Sequence, residues 1–102
     1  MEGSTIELVQ FRLKPGMDVA AFLTAAEETQ AVIAQLPGYL RRELLQDDTG
    51  LWIDLVHWRS KADALAAAEM FSTVPAFALF AMMIDEAQMT MLHLSQVRSF
   101  SP

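Results

Sequence analysis

The sequence has no cysteine. That excludes disulfides, thiol nucleophiles and thiolate metal sites, and it suits a reducing compartment such as the cytoplasm. Basic residues are scarce, with seven Lys and Arg against thirteen Asp and Glu and a formal net charge of −6. Nucleic-acid binding leans on clustered cations, and Arg41-Arg42 is the sole basic pair, so no nucleic-acid partner is expected. The four glycines form neither a phosphate-cradling loop nor a Gly-x-Ser-x-Gly elbow, which argues against dinucleotide cofactors and serine-type hydrolysis. The longest apolar run, Ala76 to Ile84, falls far short of the ~20 residues a membrane helix needs. The opening "MEGSTIELVQF" lacks the basic, apolar, small-residue order of an export signal. The expectation is a soluble, cytoplasmic protein without a membrane partner.

Apolar residues, by contrast, are plentiful. They make up 53% of the 102 residues, above the ~45–50% usual for a soluble domain. A chain this short forms a single domain, residues 1–102, and buries only about two-thirds of its unfolded surface. The apolar surplus therefore predicts a buried interface with a second copy.

Along the chain, "TIELVQFRL" (Thr5 to Leu13) alternates as a strand, with Glu7, Val9, Phe11 and Leu13 on one side and Ile6, Leu8, Gln10 and Arg12 on the other. Asp18 can cap a helix reaching about Gln35. Its apolar stripe carries Val19, Phe22, Leu23, Ala26, Ile33 and Leu36, and Gln30 falls on that stripe. Pro37-Gly38 ends it. Tyr39 to Gln46 and Leu51 to Trp58 read as strands joined by the "DDTG" hairpin turn. Ser60 caps an alanine-rich helix, with Asp63 completing a short capping box. Val74-Pro75 breaks it, and Pro75 suits the first turn of another short helix, "AFALFAMMI", apolar all round and expected to be buried. Gln88 to Arg98 alternates as the last strand.

The order β-α-β-β-α-(α)-β with right-handed crossovers predicts an α+β, ferredoxin-like split βαβ sandwich. Four antiparallel strands in the order 4-1-3-2 would carry the helices on one face. The bare face, bearing Leu8, Ile53, Leu55 and His57, would meet a second subunit's sheet.

"PGY" (Pro37 to Tyr39) opening the second strand, "DDTG" at the hairpin, and "WIDLVHWRS" running into an alanine-rich helix together resemble the antibiotic biosynthesis monooxygenase family of dimeric α+β barrels. The resemblance spans about Ile6 to Val97. It implies a homodimer with a pocket between sheet and helices, and, in members that oxidise polycyclic phenols to quinones, oxygenation with no metal or flavin. The implied motif is an Asn, a Trp four residues on, and a Tyr beyond the next helix start. Here the Trp position is Trp58, the Asn position holds Asp54 and the Tyr position holds Ala64. In the related haem-degrading branch an Asn, a Trp and a ligating His are used; here Phe11, Ala67 and a histidine-free "AFALF" stretch stand in those places, which disfavours haem.

The resemblance and strand parity place Asp54, Trp58, Trp52, Val9 and Phe11 on the helix side, while His57 and Gln10 face the other subunit. Asp54 and Trp58 are the candidate catalytic residues. A carboxylate in an apolar pocket can act as a general base or orient a substrate, and Trp58 would pack on a flat ring and donate from its indole N–H. The alternative for Asp54 is an ion pair with Arg41 or Arg42, one of which lies diagonally across the hairpin. Trp52, Phe11, Val9, Gln30 and Phe71 are the candidate substrate-binding residues, and methionines such as Met70, Met82, Met83, Met89 and Met91 either line an adaptable cavity or fill the core. His57 and His93 have no carboxylate at ligand spacing, so no metal is expected. The functional expectation is a cofactor-independent monooxygenase-like protein for a hydrophobic, aromatic or polyketide-type molecule. The alternative is a non-catalytic small-molecule binding or sensing dimer.

Overall fold

The computed structural model describes residues 3–102; Met1 and Glu2, which begin the "MEGSTIELVQF" opening expected to be no export signal, lie outside it. Strand β1 (Thr5–Phe11) is followed by helix α1 (Val19–Ile33), strands β2 (Tyr39–Gln46) and β3 (Trp52–Trp58), helices α2 (Lys61–Glu69) and α3 (Pro75–Met82), and strand β4 (Thr90–Ser95). Short 3-10 turns occupy Met70–Ser72 and Glu86–Gln88. The sheet order is β2-β3-β1-β4, antiparallel throughout, so the chain has the expected ferredoxin-like α+β fold.

The punctuation works through identifiable groups. The Asp18 carboxylate accepts the Ala20 backbone N–H and starts α1, and the Ser60 hydroxyl accepts that of Asp63 and starts α2. In the hairpin, the Asp47 carboxylate gathers the N–H groups of Thr49 and Leu51 and the Thr49 hydroxyl. Those hydrogen bonds hold its pKa below the ordinary carboxylate value, Thr49 contributing most. Gly38 must be glycine, because its φ of 81° lies in the left-handed region and a Cβ there would strike the Asp63 side chain.

Burial alternates strictly along β3, with Trp52, Asp54, Val56 and Trp58 buried on the helix side and Ile53, Leu55 and His57 half-buried on the open side. Register places Leu8 and Ile6 of β1 beside Leu55 and His57, and Leu92 and Leu94 of β4 beside Leu8 and Ile6. Both β4 leucines are exposed in the single chain. The helix side holds two packed clusters, one around Ile33, Val56, Trp58, Ala64, Ala67 and Phe77, the other around Phe11, Phe22, Trp52 and Ile84.

Three expectations need correction. The apolar helix α3 buries only Phe77, while Leu79 and Met82 face outward at 51% and 63% exposure. Eight residues make only two turns, and one face of them covers the sheet. The buried face of α1 runs through Phe22, Ala25, Ala26, Thr29 and Ile33, leaving Val19 and Leu23 over 40% exposed. Finally, β4 is shorter than Gln88 to Arg98, because Gln88 closes a 3-10 turn capped by Asp85.

Strand β2 carries an irregularity that sequence parity could not reveal. Tyr39 pairs with Trp58 and Arg41 with His57, so Leu40 is a bulge residue. Beyond it Arg42 lies opposite Val56, on the helix side, and Arg41 is left on the open side.

Candidate functional site

Between sheet and helices lies a cavity of about 200 Å³. Its wall takes residues from both packed clusters, so it sits where they meet. Apolar side chains dominate, among them Val9, Phe11, Phe71, Phe77, Phe80 and Met91. Four polar or charged residues also line it: Glu7, Thr29, Arg42 and Asp54.

Of the residues singled out from sequence, Val9, Phe11, Asp54 and Phe71 thus meet around one cavity. Trp52 lies on the same side of the sheet, packed against Phe22 with ring centres 5.1 Å apart. Trp58 is fully buried in the other cluster, edge-on to Tyr39. Gln30 lines a second, more open groove between α1 and β2, shared with Leu23, Ala26, Glu27, Arg42 and Leu44, and its amide donates to the Tyr39 hydroxyl. Ala64, at the tyrosine position of the family motif, is completely buried.

Asp54 is not free. Arg42 grips it in a two-point salt bridge, Nε to Oδ1 at 2.9 Å and Nη2 to Oδ2 at 2.7 Å, with both side chains under 10% exposed. The same guanidinium donates through Nη1 to the Thr29 hydroxyl at 2.9 Å and stands 5.6 Å from the centre of the Phe80 ring. The Thr29 hydroxyl donates in turn to the Ala26 carbonyl. The fork geometry of arginine suits such a carboxylate, and a buried pair so satisfied is rigid. Arg42 therefore stands between the cavity and the groove, lining both.

The second polar element of the cavity joins residues far apart in the sequence. Glu7 of β1 is almost wholly buried, and its Oε2 lies 3.0 Å from Nε2 of His93 on β4. Burial pushes the Glu7 carboxyl above its ordinary value, opposed by the hydrogen bond and charge of His93 and reinforced by the nearby Asp54 carboxylate. The Trp58 indole lends a small favourable influence to the ionised form, although its buried N–H forms no hydrogen bond of good geometry. The available signal was the register: β1 between β3 and β4 sets Glu7 opposite both Val56 and His93. A matching pair, His57 and Glu43 at 3.1 Å, lies on the open face with greater exposure. Among the described residues no group of three or more His, Asp or Glu side chains is placed to hold a metal ion, and no single helix is long and apolar enough to cross a membrane.

Because folding raises the Glu7 pKa, the folded chain holds that proton more tightly than the unfolded chain. The favourable contribution is complete below the ordinary value of 4.5 and is lost as pH rises through the elevated folded value. Denaturant unfolding over a pH series should therefore show the native protein losing stability relative to Glu7→Gln upward from pH 4.5. His93 on β4 and Asp54 on β3 act on the same carboxyl, so the double variants Glu7→Gln with His93→Gln and Glu7→Gln with Asp54→Asn complete the comparison. Parallel stability curves would show that Glu7 is not desolvated.

The model for the antibiotic biosynthesis monooxygenase family matches residues 5–74. No curated protein sequence matches the chain. Among solved structures, SnoaB, a cofactor-independent oxygenase from Streptomyces nogalater, superposes with a TM-score of 0.81 at 16% identity, covering 98% of each chain. A conserved protein from Methanosarcina mazei Go1 gives 0.74 at 12% identity, over 90% of this chain and 91% of that one. A dimeric ferredoxin-like protein of unknown function from Jannaschia sp. CCS1 gives 0.68 at 11% identity, over 91% and 99%. At such identities the structural likeness establishes the fold alone.

Proposed function

The chain belongs to the antibiotic biosynthesis monooxygenase family, and from that premise we propose that it is a cofactor-independent oxygenase for a compact, hydrophobic aromatic molecule. The observation that carries this reading is the cavity, apolar over most of its wall, with its charged groups convergent on one side, between sheet and helices. Its ~200 Å³ exceeds the roughly 150 Å³ of a dry cavity that admits benzene and falls below the roughly 300–1,000 Å³ of drug-sized pockets. A guest of one to three fused rings is favoured over a long polyketide.

The chemistry assigned to the cavity starts from a phenol or an activated CH2 group. Removing its proton leaves the electron pair on the ring system as an electron-rich anion. Dioxygen is the oxidant: the anion's carbon bonds to one oxygen atom, the resulting peroxide takes a proton, and loss of water from a CHOOH group leaves a C=O group. An apolar wall that excludes bulk water protects the anion meanwhile. Asp54 acts here as an orienting group, because accepting a proton would forfeit its pair with Arg42. Trp58 supports the polar end from behind, next to Glu7.

The active unit is a homodimer formed through the open sheet face, where Ile6, Leu8, Ile53 and Leu55 form a contiguous apolar strip with His57. Patches of this kind mark association surfaces, and the dimeric state named for the Jannaschia protein supports the reading.

The test is oxygen uptake with anthrone and 1,4-dihydroxynaphthalene, no cofactor added. Native protein should exceed buffer autoxidation, and Asp54→Asn and Trp58→Phe should each lower turnover by about tenfold or more, the range in which positioning losses fall. A second reading rests on a specific observation: the Arg42–Asp54 pair is fully satisfied and Ala64 replaces the motif tyrosine, as in a dimer that binds its guest without oxidising it. Saturable quenching of tryptophan fluorescence without oxygen uptake would establish that alternative.

A further inference from the structure

Of the two carboxylates lining the cavity, only one is placed to exchange protons. Asp54 is neutralised by two short hydrogen bonds from Arg42. Among the described residues the hydrogen-bond partner of Glu7 is an imidazole, His93 Nε2 at 3.0 Å, while the Arg42 guanidinium is bonded to Asp54 and Thr29. An imidazole nitrogen donates in one tautomer and accepts in the other, so this bond works in either direction. The ring donates to an ionised Glu7, and a protonated Glu7 donates to a neutral ring.

The placement of the pair matters as much as its chemistry. Glu7 lies on the inner strand β1, its side chain 3% exposed, against the cavity. His93 lies on the edge strand β4, its side chain 18% exposed. One end of the pair is dry and the other touches water. The charged and titratable groups around Glu7 are Asp54 on β3, Arg42 on β2 and His93 on β4; the cavity residues of α1 and α3 are Thr29, Ile33, Phe77, Ala78, Phe80 and Ala81, none of which titrates. Among the described cavity residues Glu7 is therefore the carboxylate not held in an arginine salt bridge.

We infer that Glu7 is the catalytic base of this cavity and that His93 is its positioning residue and proton outlet, carrying to solvent at the edge of the sheet what Glu7 removes from the substrate. The inference deepens the oxygenase reading and rests on it. In the step itself a substrate C–H or O–H bond breaks, its electron pair stays on the substrate as an enolate or phenolate, and the proton passes to the Glu7 carboxylate. The ring shifts through solvent at the sheet edge to its Nδ1–H tautomer, which frees Nε2 to take the proton from the carboxyl; the imidazolium then releases its Nδ1 proton to water, leaving Nε2–H to donate again to the ionised Glu7. Charge and protons balance without any further reactant. Desolvation fits the task, since it makes the carboxylate a stronger base than one in water.

Proton removal can be read apart from oxygenation. Under nitrogen in D2O, native protein should speed deuterium entry into the activated CH2 groups of anthrone and of the smaller 2-tetralone, followed by proton NMR. Glu7→Gln, which keeps size and hydrogen bonding, should lose this exchange by about 10²-fold or more, the usual worth of a general base, with its circular dichroism unchanged. His93→Ala should be slowed about tenfold or more, and added imidazoles should restore it in the order of their basicity, which mere filling of a hole would not produce. If native protein consumes oxygen with these compounds while Glu7→Gln exchanges at the native rate, the assignment of Glu7 is overturned and the oxygenase reading stands. If native protein shows neither exchange nor oxygen uptake, the oxygenase reading fails and the base assignment fails with it.

Discussion

Replacing Arg42 with leucine is expected to cost about 3–5 kcal/mol of folding stability, the usual penalty for stranding a buried charge. The reason is specific to this site. Among the described residues Asp54 has no hydrogen-bond donor other than the guanidinium, and both side chains are under 10% exposed. The substitution also removes the donor to Thr29 and the cation beside Phe80. Against a total stability of roughly 5–15 kcal/mol, and at roughly 4–8 °C per kcal/mol for a domain of this size, the melting temperature should fall by more than 10 °C. The double variant Arg42→Leu with Asp54→Leu should recover most of the loss, because an apolar pair of similar volume often replaces a buried ion pair at little cost. Thermal and urea unfolding at one fixed protein concentration, which keeps association constant, checks both. A single variant within about 1 kcal/mol of native would mean that water reaches the pair.

If the proposed homodimer forms through the open face, a glutamate in place of Leu8 is expected to leave the chain monomeric. Leu8 sits at the middle of the open face, directly between Leu55 and Leu92 in register. In a two-fold interface each substitution counts twice, placing two like charges on an apolar surface. Several kcal/mol of desolvation and repulsion correspond to a rise of about a thousandfold in the dissociation constant. Light scattering across a dilution series reads this directly. In the monomer position 8 is only half-buried, so circular dichroism should remain native. If native protein is itself monomeric at high concentration, the open face is covered by something other than a second copy.

How far the fold could be read in advance follows from where the signals were local. Alternation along β1 and β3, the Asp18 and Ser60 caps and the Pro37-Gly38 stop each depend on a few adjacent residues, and the strand order followed from them. α3 misled because an all-apolar stretch shows no preferred face, so periodicity could not tell that Leu79 and Met82 would turn outward. Around the cavity, Val9, Phe11 and Asp54, set on the helix side by the resemblance and by parity, line one wall together. Parity left Arg41 and Arg42 as equal partners for Asp54, because Tyr39 and Arg42, three residues apart on one strand, share a face only through the Leu40 bulge. Glu7 escaped notice for a different reason. Alternation set it on the side of Val9 and Phe11, but its partner lies 86 residues away, and only the adjacency of β1 and β4 brings His93 to that carboxylate.

That adjacency has a consequence for how the protein is made. β1 emerges from the ribosome first among the strands and β4 after the other three. The hairpin of β2 and β3 can close with Arg42 already on Asp54, and β1 can join it. The edge of β1 that β4 will cover stays open throughout. A nascent or truncated chain ending before Thr90 can thus hold the salt bridge while lacking His93 altogether. The strand that completes the sheet also completes the proton path, which ties chemical competence to the end of folding.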